Sequence, residues 1–426
     1  MNDTYGVVFL WYNSLKILYF LLIIVKCMSI YKEKKMKTNN KTYIYIILMT
    51  FIRYLGDCFF YAYLVLFLRN RGLLETQIGI ITAISPLVAI IASIIWNHFA
   101  KNVNINRIMM IIITIVEGVL IFTYTKATLF ESFIIITVLI ALVGSPFYTL
   151  HDGFCEAFAV ISNKSYATIR AFGSLGYVAA TLLAALVLYL SKDNYDILFY
   201  LAAGLFILTS LWFILIKPIK LEKMGEESKR DYNAVIKNKI FWIFLIVDVI
   251  IFGASYGADS YVSLYFTEMK DLSPSAWSIL FGGMIGLEFI IMIASNRFTH
   301  INENGALMIY GLAFFLRSFI LAFDLPLPFL IGASLLRGVA YGFYFPYLVR
   351  TIKNICGLRN VTCALFILFI FKSIFKSLSL VMFGTLIENV GYNSFFLISA
   401  LVILLGLIIN IIFNIKYKFK YPQYEF

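Results

Sequence analysis

The chain has 426 residues, 62% of them hydrophobic and 14% charged, with a formal net charge of +12 and a mean hydropathy of +0.89. That is too apolar for a soluble globule with one core, and continuous apolar runs of about 20 residues exclude the alternating strands of a membrane barrel. The basic excess is no nucleic-acid footprint, because it gathers in alternate loops; the partners expected are a lipid bilayer and a small-molecule substrate, with no nucleic acid.

Residues 1–40 form an N-terminal extension. Tyr5 to Ile30 is apolar but broken by Lys16 and Lys26, and the basic run Tyr31-Lys32-Glu33-Lys34-Lys35 follows. No small-residue cleavage site follows it, so it reads neither as a tidy signal peptide nor as a clean span. The expectation is an extra N-terminal helix, or a true start at Met36.

From there the pattern predicts an all-α membrane protein of twelve transmembrane helices. They fall at about 43–68, 77–97, 107–125, 131–155, 167–190, 196–216, 240–266, 275–295, 305–323, 328–350, 361–386 and 393–415. The longest polar interval, Lys217 to Lys239, divides them six and six. It defines an N-terminal bundle at 41–216, a cytoplasmic linker at 217–239, a C-terminal bundle at 240–415 and a tail at 416–426. With the N-terminus inside, the outside loops hold only Arg69, Arg71, Lys126, Lys192 and Lys270. The positive-inside rule then places both termini in the cytoplasm of a cell whose inner membrane the chain crosses. A repeat supports the division: Asn97-His98-Phe99-Ala100-Lys101 follows span 2, and Asn296-Arg297-Phe298-Thr299-His300 follows span 8.

The charges inside the spans carry the functional signal. Span 1 has Arg53 and Asp57 one helical turn apart, span 3 has Glu117, and spans 4 and 5 have Asp152 and Arg170. Span 7 has Asp248 and Asp259, three turns apart on one face; span 8 has Glu288, span 9 Arg317, span 10 Arg337, and span 11 Lys372 and Lys376. A charge facing lipid costs about 2.5–3.5 kcal/mol on insertion scales, so these residues face partners or a water-filled passage. Acids and bases balance, six to six, so most can be paired. Structural pairing is the competing reading for each of them. Asp152 and Arg170 flank the short break Ser162-Asn163-Lys164-Ser165. Two helices joined by so tight a turn lie antiparallel, which sets both charges at similar depth.

The stretch Ser145 to Tyr177 (SPFYTLHDGFCEAFAVISNKSYATIRAFGSLGY) resembles the fourth and fifth helices of the lactose permease group, the oligosaccharide:proton symporters of the major facilitator superfamily. Tyr63 to Gly79 resembles the same group and the related phenylpropionate transporters, and Asn296-Arg297, Gly311, Arg317, Lys372 and Glu388-Asn-Val-Gly391 fall on family positions. The resemblance runs from about Tyr43 to Ile415. It implies a major facilitator fold and proton-coupled symport of a small polar solute, a sugar or related metabolite, by alternating access. Asp152 and Arg170 would grip the substrate and Tyr177 would stack beside it. Glu288, tuned by Arg317 and Arg337, would carry the proton, and Asp259 and Lys372 would form a pair broken and remade in the cycle.

There are departures. Asn97 and Lys101 stand where a Gly and an Asp are usual, Arg337 occupies a histidine position, and Ala340 replaces the proton-carrying glutamate. The lactose-type proton route is therefore not carried over intact. The coupling ion expected is a proton, or sodium in its place, with no other cofactor and no metal; a monomer is expected. Proton-coupled efflux is the alternative, opposed by the absence of any proline between Pro146 and Pro218. A membrane enzyme or receptor is disfavoured, since no nucleophile set, metal set or soluble domain is present. An ATP-driven pump would need a phosphate loop that the chain lacks.

Overall fold

The structure, a computed structural model, describes residues 38–99, 103–162, 164, 166–216, 232–294 and 302–417. The N-terminal extension, most of the linker and the Asn296 arm of the repeat lie outside the described residues.

Every described element is helical. Span 1 runs Thr38–Asp57, widens into a π-helical turn at Cys58–Ala62 and continues as Leu64–Asn70. Spans 2 and 3 are Glu75–Phe99 and Val103–Tyr124. Span 4 is Phe130–Gly144, broken at Ser145-Pro146 and resumed as Phe147–Ser162. Spans 5 and 6 are Tyr166–Ser191 and Tyr195–Leu215, and a short helix, Tyr232–Ile236, leads into span 7, Lys239–Leu264. Span 7 ends in its own π-helical turn, Tyr265–Met269. Spans 8, 9 and 10 are Pro274–Ala294, Glu303–Leu321 and Leu327–Cys356. Such wide turns are rare. One at the same end of the first helix of each half is what an internal repeat would leave.

Among the described residues eleven helices are long and apolar enough to cross a membrane, and they make twelve spans because the last, Val361–Tyr417, is two. Gly391 interrupts it at φ 78, ψ 172, a backbone that residues with a Cβ rarely adopt. The rings of Phe383 and Phe395 are 5.1 Å apart, whereas twelve residues along a straight helix would separate them by about 18 Å. The chain therefore reverses at Gly391, giving span 11 at 361–390 and span 12 at 392–417.

Asparagines start three of the helices. Asn194, Asn238 and Asn302 each accept a hydrogen bond from a first-turn backbone N–H of spans 6, 7 and 9, groups with no partner inside the helix. Large apolar side chains such as Ile91, Ile94, Ile135 and Leu190 stand exposed on the outer faces, as a bilayer requires.

The halves meet along spans 2 and 11, 5 and 8, and 1 and 7, and one end of this interface is tightly shut. Tyr261 Oη donates to the carbonyls of Leu380 (2.8 Å) and Glu75 (3.3 Å). Arg69 binds Glu268 at 2.5 Å, and Thr76 Oγ1 donates to Glu388 at 2.5 Å. Glycines allow this closeness. A Cβ on Gly79 would lie 2.5 Å from Leu380 O, and one on Gly384 would collide with Glu75 O and stand 2.7 Å from Tyr261 Oη.

Candidate functional site

The spans bring their charges together in separate clusters. In the first half, Arg53 is the hub. Its Nη1 and Nη2 donate to both oxygens of Glu117 at 2.6 and 3.3 Å, and its Nε donates to Asp57 at 3.2 Å. Tyr148 on span 4 donates to the same Asp57 oxygen. Phe147 and Phe206 cover the guanidinium at 4.0 and 3.9 Å, and all three charged side chains are at most 1% exposed. Gly144 makes room for this: a Cβ there would collide with the Glu117 carboxylate, which Arg53 prevents from moving aside. Gly144→Ala is therefore expected to destabilise the protein by about 1–3 kcal/mol, the usual cost of overpacking. Thermal unfolding of the purified variant checks this; an unchanged midpoint would contradict it.

In the second half, Asp259 accepts ion pairs from Arg317 and Arg337, both at 2.7 Å, and Arg337 also holds Glu288 at 3.1 Å. Two acids thus meet two guanidinium groups. Glu288, Arg317 and Arg337, grouped with Lys372 from sequence, meet around Asp259 instead. The two clusters also mirror each other: Arg53 of span 1 joins Glu117 of span 3, and Asp259 of span 7 joins Arg317 of span 9. These helices occupy equivalent places in their halves, and the signs are exchanged.

Lys372 departs from expectation. It pairs with Asp248 at 2.9 Å, not with Asp259, and lies 4.5 Å from the rings of Phe252 and Tyr344. Asp259 already has two arginines, which leaves the lysine to the acid three turns along span 7. The two aspartates share a helix but serve different neighbours.

No ion pair joins Asp152 and Arg170 among the described residues, so the structural pairing that competed with a substrate grip is not formed here. His151 faces span 1, bonding Thr50 Oγ1 at 2.9 Å. Asp152, about 100° further round the helix, is 40% exposed with its carboxylate 3.4 Å from His151 Nδ1. Arg170 is exposed and lies over the Tyr54 ring at 5.0 Å. The pair thus stands near the end of the molecule opposite the shut one.

Between the halves lies a cavity of about 700 Å³, within the range of small-molecule sites. Tyr177 of the first half and Asp259, Arg337 and Lys372 of the second, all singled out from sequence, line it. Sequence reading did not identify the aromatic lining, Phe252, Tyr256, Trp277 and Phe281. In a chain that is 17% aromatic, only position in space distinguishes these rings from those facing lipid. Lys376, for which sequence favours structural pairing, lines the cavity instead: its ammonium rests 3.8 Å from the Tyr256 ring, and no carboxylate lies within 4 Å among the described residues. From the shut end the cavity extends along spans 10 and 11 to Leu348 and Leu365, near the opposite ends of those helices.

Comparison with known proteins agrees with this architecture. The chain is 27% identical over 290 residues to the uncharacterized transporter YwbF of Bacillus subtilis (strain 168), covering 67% of this chain and 71% of that one. It is 23% identical over 288 residues to the maltose permease of Geobacillus stearothermophilus, covering 66% and 71%. Among solved structures, the nucleoside transporter NupG superimposes with a TM-score of 0.75 at 16% identity, covering 89% of this chain and all of that one. A POT family transporter does so with a TM-score of 0.69 at 11% identity, covering 88% and 96%. These two share the fold. Residues 43–371 match the MFS_1 like family, and the chain belongs to that family of major facilitator membrane transporters.

Proposed function

We propose that this transporter carries a small polar solute, a sugar or related metabolite such as a nucleoside, into the cell together with protons by alternating access. The observation that carries this reading is the 700 Å³ cavity between the halves, sealed at one end and lined by charged and aromatic side chains. With the basic loops taken as cytoplasmic, the shut end is the outer one and the conformation is inward-open. The maltose permease and the nucleoside transporter among the similar proteins support hydroxyl-rich solutes. Tyr177 and Trp277 offer flat faces for a ring, and the Lys376 ammonium offers hydrogen bonds to hydroxyl or carbonyl oxygens. Asp152 and Arg170 stand off the cavity wall in this conformation; a role in gripping solute requires them to come together elsewhere in the cycle.

Glu288 is the proton carrier in this reading. It is 18% exposed and shares Arg337 with Asp259, so protonating it leaves Arg337 and Arg317 facing a single carboxylate. The cavity wall then gains positive charge and binds the acceptor oxygens of a solute more strongly. This links proton to cargo. In vesicles, Glu288→Gln is expected to keep solute exchange while losing accumulation driven by a pH gradient. Accumulation at the unmodified level in that variant would eliminate Glu288 as the carrier, and accumulation driven by sodium alone would replace the coupling ion.

A further inference from the structure

We propose that the buried Asp57–Glu117 pair holds one proton in this conformation, and that the proton sits on Asp57. The first ground is charge balance. Two carboxyl groups and one guanidinium, none more than 1% exposed, share a site enclosed by Phe147 and Phe206. Arg53 is the only Lys or Arg within 4 Å of either carboxyl among the described residues. An uncompensated charge in such a site is far more costly than a neutral acid. The mirrored cluster around Asp259 has two guanidinium groups for two acids and needs no proton.

The second ground is hydrogen bonding. Both oxygens of Glu117 receive an N–H from Arg53. Asp57 Oδ2 receives Arg53 Nε and the Tyr148 hydroxyl. Asp57 Oδ1 is buried and has no hydrogen bond, although Arg53 Nη2 lies 3.2 Å away off its donor line. An ionised oxygen without donors is the least stable arrangement available; protonation removes its charge and leaves only a neutral O–H unpaired.

The other titratable groups around Asp57 do not supply the missing charge. Cys58 and Tyr61 of span 1, Tyr148 of span 4 and Tyr177 of span 5 are neutral or acidic, Glu117 of span 3 is the second acid, and span 6 presents Phe206. His151 of span 4 is matched by Asp152 beside it. Tyr61 and Tyr177, both within electrostatic reach of Asp57, line the cavity, as does Ser145. The proton therefore lies one layer of side chains behind the cavity wall. This inference goes beyond the coupling role of Glu288 and does not depend on solute or direction.

Infrared spectroscopy of the purified full-length protein in lipid tests it without any transport measurement. At neutral pH the wild type is expected to show a protonated-carboxyl C=O band that Asp57→Asn removes. Glu117→Gln is expected to remove it as well, because one acid facing one guanidinium ionises. Glu288→Gln is expected to leave it unchanged. A wild-type spectrum without the band overturns the proposal, as does a band that survives in Glu117→Gln or disappears in Glu288→Gln. If Asp57→Asn does not fold, Glu117→Gln alone decides.

Discussion

Arg53→Met is expected to leave no folded protein in the membrane. The substitution keeps most of the side-chain volume between Phe147 and Phe206 but strands Asp57 and Glu117 as two buried acids without a cation. Removing one partner of a buried ion pair costs about 3–5 kcal/mol, a large part of the roughly 5–15 kcal/mol that separates folded from unfolded domains. Size-exclusion chromatography after detergent extraction should find the variant aggregated or missing. The triple variant Arg53→Met, Asp57→Asn, Glu117→Gln removes every charge from the site and is expected to recover a monodisperse peak. A monodisperse Arg53→Met at wild-type yield would mean that the guanidinium does not stabilise this cluster.

The second large effect is on the conformational equilibrium. Gly384→Trp places a bulky ring where a Cβ alone would collide with the Glu75 carbonyl and crowd Tyr261. Spans 2, 7 and 11 cannot close over it. Overpacking of this kind costs about 1–3 kcal/mol, which shifts a two-state equilibrium by about 5- to 150-fold. The shut end should open and uptake should fall to a comparable extent. Ser263→Cys, on the cavity wall, reports the change. It should resist a membrane-impermeant thiol reagent added outside in the otherwise unmodified protein and react readily once Gly384→Trp is present. Unchanged uptake together with an unreactive cysteine would show that closure at this end does not depend on the glycine contact.

The spans were legible because about 20 apolar residues must cross the bilayer, and their charges were legible because polar groups are costly there. Depth along a helix follows from counting residues. Rotation about its axis does not, and the differences arose there. Asp248 and Asp259 lie on the same side of span 7, yet one meets span 11 and the other spans 9 and 10. Asp152 stands one residue from the face of span 4 that packs on span 1, and that step takes it out of the core. Helices apolar on every side give little periodic signal to set their rotation. Tyr148 went unnoticed for a related reason. A tyrosine in a run of aromatics gives no sign that its hydroxyl ends on a buried aspartate.

The exchange of signs between the two halves bears on how such a chain can change over generations. Where a guanidinium in one bundle stands for a carboxylate in the other, no replacement of Arg53 or Arg317 by an uncharged residue leaves the charge of its cluster unchanged. Descendants should lose a cation and an anion in linked steps, or keep both. A family tree in which position 53 becomes uncharged while 57 and 117 both stay acidic would mean that some other cation had moved in to replace it.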